Sequence, residues 1–203
     1  MNTLPISNAL TVMRAALLPA HRVTVIGTSA CALGFQYAAQ AAGENQTVVY
    51  LCGDNRFDVY AIARHARTQG CDPTAVLQRI LIARAFTAYQ LAELLAHLEP
   101  NHIAGPVIVS GLCTAFFDED LSHTEAARLF YRTLWRVITL AQAGLALLLI
   151  ESAVAPSTRR AHFLTDLERA SNVVIKLNGK QSCTLERRSL NAKPYLPALP
   201  EAA

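Results

Sequence analysis

The chain has 203 residues, enough for one domain with a sizeable core, and at 52% hydrophobic and 16% charged it is too apolar to be a disordered scaffold. Its formal charge is +3: residues 1–150 balance ten Arg against ten Asp and Glu, while residues 151–203 set eight Lys and Arg against five Asp and Glu. A surplus of that size is ordinarily a solvated face, not a polyanion grip. The longest apolar run, residues 144–150, falls far short of the roughly 18 residues that span a bilayer. The N-terminus lacks a basic flank, an apolar block and a small-residue cleavage site, so the sequence reads as cytoplasmic, with no membrane contact. None of the five cysteines sits in a CxxC pair and the six histidines are scattered, a pattern of buried reduced thiols with no metal site.

In chain order, residues 7–19 read as an amphipathic helix with Ser7 as N-cap and Pro19 closing it. Residues 22–54 follow as a strand (22–26), a turn at Gly27, a helix to about Ala42 and a second strand (47–52), the first crossover of a parallel sheet. A helix start just after such a strand is the usual seat of a phosphate. A phosphate loop reads G-x-x-x-x-G-K-[ST], yet no Lys or Arg lies between Arg22 and Arg56 and the first Lys of the chain is Lys176. The frame of a nucleotide fold is there without its cation. Helical spacing covers 57–68, and Asp72-Pro73 opens a short helix. Residues 80–83 are a third strand, Thr87 caps a helix over 88–98, and 106–111 form a fourth strand, apolar throughout its middle. The longest helix spans 122–142, and Gly144 precedes a fifth strand at 145–150. Residues 153–165 read as a short loop with adjacent Arg159 and Arg160, and 166–170 as a helical turn. Two strands, 172–177 and 182–188, flank the turn pair Asn178-Gly179. The expected architecture is a single α/β domain: an N-terminal helix (1–20), a mostly parallel sheet flanked by helices (21–152), the short loop, and a closing antiparallel hairpin with its tail (166–203).

The segment ARAFTAYQL (83–91) resembles the strand-to-helix segment of the RecA/RadA recombinases, most of all the archaeal and eukaryotic branch. PVIVSGLCTAFF and the following acidic loop, long helix and strand are similar to that family's Walker B region, and the hairpin with NAKPYLP resembles the end of its core. The resemblance covers roughly residues 8–197 and implies a three-layer RecA-like fold. Residue by residue it implies a site stripped of its chemistry. Ala30 and Cys31 stand where the family has the phosphate-loop Lys and Thr, after a remnant loop at Gly27, Thr28 and Ser29. Asp54 stands where the catalytic Glu belongs, Ser110 replaces the Walker B Asp, and Glu151 and Ser152 take the place of the polar sensor pair. Phosphoryl transfer is positioning and charge stabilisation, and losing one such group costs roughly a hundredfold. Neither ATP hydrolysis nor a bound cofactor is therefore expected.

Other positions carry weaker expectations. Asp54 reads as a strand-end cap or surface carboxylate. Arg84 reads as structural, pairing with backbone carbonyls or a carboxylate such as Glu93, and Tyr89 as a half-buried core residue. Arg159 and Arg160 fall in a loop matching one of the family's DNA-contacting loops and are candidates for DNA contact, against the plainer reading of a solvated pair. Asp118, Glu119 and Asp120 fall in the other such loop and would repel phosphates. Cys31, Cys52 and Cys113 read as small core hydrophobes. Phe35 and Ala38 give an FxxA pattern inside a helix, a chance match. The expected function is a pseudo-ATPase acting through protein contact, in recombination or repair, with a recombinase or a second copy as partner. The alternatives are an ATP-independent DNA-binding module using the basic last quarter, or an inhibitor of a cytoplasmic partner resembling the division inhibitor SulA, which is similar in architecture alone.

Overall fold

Runs of Val, Ile and Leu without charge form strands because both of their faces can be buried at once, and such strands need helices above and below them. The structure, a computed structural model, describes residues 2–152, 160–179 and 181–187. Its strands are β1 (Asn2–Pro5), β2 (Arg22–Ile26), β3 (Val48–Cys52), β4 (Ile80–Arg84), β5 (Val107–Ser110), β6 (Leu147–Glu151), β7 (Val173–Asn178) and β8 (Ser182–Arg187). Its helices are α1 (Ala9–Ala16), α2 (Ala30–Gly43), α3 (Val59–Thr68), α4 (Pro73–Leu77), α5 (Ala88–Ala96), α6 (His123–Gln142) and α7 (His162–Ala170). The strands form one sheet in the order β1-β8-β7-β2-β6-β5-β3-β4. From β7 to β4 every pairing is parallel; β8 pairs antiparallel with β7 and with β1.

Alternation along the strands splits the interior into two cores. Val23, Val25, Tyr50, Ile108, Leu148 and Ile150 face one side, where α1 to α4 cover them. Leu51, Val107, Val109, Leu147 and Leu149 face the other, under α5, α6 and α7. The chain is thus a three-layer α/β structure with a mostly parallel sheet and a C-terminal antiparallel hairpin. No helix among the described residues is long and apolar enough to cross a membrane.

Local chemistry fixes most helix starts. Asp58, Asp72, Thr87 and Ser122 each accept hydrogen bonds from first-turn N–H groups of α3, α4, α5 and α6. Ser7 does not cap α1: residues Ile6–Asn8 form a 3-10 turn that runs straight into the helix. The N-terminal segment also departs from the expected lone helix, because residues 2–5 add a strand to the far side of β8. Near the C-terminus α7 begins at His162, earlier than the expected turn at 166, since Phe163, Leu167 and Ala170 together form its buried stripe. Residues 153–159, and with them Arg159, lie outside the described residues, as does the tail from 188 onward.

Candidate functional site

In open parallel sheets ligands collect outside the carboxyl ends of the strands, where successive helices leave to opposite faces. Here β2 sends α2 to one face while its neighbour β6 is followed by α7 on the other. Register sets the carboxyl edge: Ile26 lies beside Glu151 and Lys176, and Ser110 lies between Cys52 and Ile150. Gly27 then turns the chain at φ +137°, where a Cβ would meet the Leu177 carbonyl at 2.8 Å. Across the crevice Gly111, at φ +70°, presses its backbone on Asp54, so close that a Cβ would lie 2.4 Å from the Asp54 Cβ. Both turns need glycine.

The sequence-derived positions Gly27, Thr28, Ser29, Ala30, Cys31, Asp54, Ser110, Glu151 and Ser152 all belong to this edge. Asp54 is its hub. One carboxylate oxygen, Oδ1, accepts from Ser110 Oγ at 3.0 Å, from Cys52 Sγ at 3.4 Å and from the Arg56 N–H at 3.3 Å, while Oδ2 accepts from Cys31 Sγ at 3.5 Å. A strand-end cap or surface carboxylate is therefore too small a description. Beneath it, the fully buried Tyr50 hydroxyl makes no hydrogen bond of good geometry among the described residues, Ser110 being its polar neighbour. Glu151 is buried and accepts from the Cys113 N–H at 2.6 Å and the Thr114 hydroxyl at 3.3 Å.

Burial governs the protonation of these groups. It raises the Glu151 carboxyl to about 7, with the Asp54 charge adding to the rise and the Cys113 N–H partly offsetting it. Cys31 is pushed up to about 11, first by burial and further by Asp54, against a lowering hydrogen bond to Ser152. Burial likewise raises Cys113 and Tyr50. Thiols this far above neutrality are not nucleophiles at physiological pH, because the thiolate is the reactive form. Cys52 and Cys113 are buried and Cys31 half-buried, so only the first two are wholly core residues. The acceptors of this edge are turned inward, Glu151 to Cys113 and Thr114 and Asp54 to Ser110, Cys31, Cys52 and Arg56.

Two participants escape sequence reasoning. Arg56 brings a cation to the edge after all: Asn55, at φ +54°, turns the chain so that Arg56 Nη1 donates to Ser152 Oγ at 2.8 Å. The Asp-Asn pair before it is the turn signal that could have revealed this. Tyr50 was hidden because an aromatic in an apolar strand reads as core alone.

Arg160 departs from both of its expected roles. It is buried, and its guanidinium donates to the carbonyls of Phe116, Asp118 and Leu121, tying the acidic loop down. Arg84 stacks over the Phe57 ring at 5.9 Å, not against a carbonyl or Glu93, whose carboxylate faces His97. Tyr89 is 51% exposed, and its hydroxyl donates to Glu125. Among the described residues no group of three His, Cys, Asp or Glu side chains is placed to hold a metal ion. No protein-family model matches the chain, and no curated protein matches it.

Proposed function

We propose that the chain is a RecA/RadA-like pseudo-ATPase, a catalytically inactive core that acts through protein contact in the regulation of DNA recombination or repair. One observation carries this reading: the Asp54 carboxylate stands at the carboxyl edge bonded to Cys31, where Ala30 and Cys31 occupy the start of α2 and the local cation, Arg56, is engaged with Ser152. A triphosphate brings further negative charge to that edge, and like charges in a partly dry crevice repel strongly. Calorimetry with ATP and Mg²⁺, paired with a turnover assay, tests the reading. No heat of binding and no turnover above background are expected; micromolar binding with turnover overturns it.

The DNA-binding alternative draws on the basic last quarter. Three of its cations are already engaged, Lys176 with Glu168 at 2.7 Å and Glu186 at 4.0 Å, Arg169 with Asp166 at 3.3 Å, and Arg160 with three carbonyls. Binding to single-stranded DNA that weakens with salt by several charges would favour that alternative; a flat salt response removes it.

A further inference from the structure

α5 and α6 lie side by side and run the same way. Tyr89, at the start of α5, meets Glu125 at the start of α6, and Arg136, late in α6, donates to the carbonyls of Leu95, Ala96 and Leu98 at the end of α5. Between them an open groove of about 570 Å³ is lined chiefly by Ala92, Glu93, Ala96, Arg132, Trp135 and Arg136. Small side chains line its α5 side, Ala92 buried and Ala96 exposed. Its rim carries Trp135, 48% exposed and the only tryptophan of the chain.

The charges around the groove are almost all accounted for. Glu93 faces His97 at 3.4 Å, Glu125 accepts from Arg128 and Tyr89, and Arg136 is spent on the end of α5. Arg132 is exposed and makes no hydrogen bond or ion pair among the described residues, acting on Glu125 only through space. An aromatic anchor beside an uncommitted guanidinium, with small residues alongside, is the chemistry of an interface centre.

We infer that this groove receives an acidic amphipathic segment of another protein, its apolar side chains seated on Ala92, Ala96 and Trp135 and one carboxylate paired with Arg132. The inference rests on the reading of the chain as a platform for protein contact and names the surface and the partner's chemistry. A nucleic-acid backbone fits worse, since it calls for a row of cations and meets Glu93 at the rim. A second copy fits worse too: the chain's own acidic stretch, residues 118–120, adjoins Phe116, which is fully buried, and Arg160 pins that loop.

The lone tryptophan makes the test direct. The probe is an amphipathic helical peptide of about fourteen residues, leucines along one face and glutamates beside them, set against the same peptide with lysines for glutamates. With the full chain, the glutamate peptide is expected to shift Trp135 emission saturably, with a Kd on the order of 10 µM. Arg132→Glu, a surface change checked by an unaltered melting curve, is expected to weaken it about tenfold or more, and the lysine peptide to bind no better than that. Absence of an emission change at about 1 mM peptide, equal binding of both peptides, or indifference to Arg132→Glu overturns the inference. So does a dimer in sedimentation that Trp135→Ala dissociates, which would assign the groove to a second copy. ATP turnover measured on the same sample speaks to the pseudo-ATPase reading separately, so the failure of one is not mistaken for that of the other.

Discussion

Glu151 shows how a single buried carboxyl makes stability depend on pH. In the unfolded chain it ionises near the ordinary 4.5; in the folded chain, buried between the Cys113 N–H and the Thr114 hydroxyl, it does so at about 7. Between those values the folded protein keeps a proton that the unfolded protein has lost, so this group's contribution falls as pH rises through the window and levels off above it. At about 1.4 kcal/mol per pH unit, the loss amounts to about 3 kcal/mol. Glu151→Gln keeps an acceptor for Cys113 and removes the titration. Urea unfolding is therefore expected to show the variant gaining about 3 kcal/mol on the parent between pH 4 and pH 8. A difference that stays the same at both pH values would mean that Glu151 ionises alike in the folded and the unfolded chain.

At the scale of elements, the seating of α2 on β6 is the tightest contact at the site. A Cβ built on Gly34 would lie 2.0 Å from Ile150 Cδ1, so an added methyl must push that fully buried side chain aside. Gly34→Ala gains up to about 1 kcal/mol of helix propensity and loses about 1–3 kcal/mol to overpacking. Overpacking wins, and a net loss of about 1–2 kcal/mol is expected in denaturant unfolding. Ile150→Val removes the clashing methyl, so the double variant should recover most of the loss; a double variant no better than Gly34→Ala alone would place the strain elsewhere. What was legible in the sequence follows the same division between local and distant causes. The Arg22–Ile26 strand, the Asp72-Pro73 start of α4 and the Ser122 start of α6 rest on neighbouring residues and were readable to within a residue or two. β1 was not, because four residues ending in Pro become a strand only when β8 is laid beside them. Arg160 and Arg56 look alike in sequence, as surface cations; the fold buries one on carbonyls far along the chain and swings the other to the carboxyl edge. The site residues themselves were found by pattern and order, whereas the hydrogen bonds that bind them into one cluster span 56 residues for Ser110–Asp54 and 96 for Arg56–Ser152.

At the scale of the whole molecule, an open sheet must finish somewhere, and its two ends are finished differently. β1 closes one side and carries Pro5, which cannot donate to a further strand. β4 closes the other with Leu81 at 56% and Ile82 at 44% exposure. Successive residues of a strand point to opposite faces, so on each face the middle of β4 stands clear of the helices, although Ile80 at its start is buried. No Lys or Pro interrupts the strand, its one charge, Arg84, sits at its end over the Phe57 ring, and Phe86 just beyond it is 70% exposed. Edges of this kind pair with other chains unless a charge forbids it. Light scattering is expected to show mass rising with concentration in the micromolar range. Ile82→Lys, which places a charge on the strand at a position 44% exposed, should return the protein to a monomer. Arg132→Glu, in the α5–α6 groove, should leave the association unchanged, which separates the sheet edge from the peptide groove. A monomer at every concentration, or an assembly indifferent to Ile82→Lys, would mean that the residues bordering β4 already shield its outer edge.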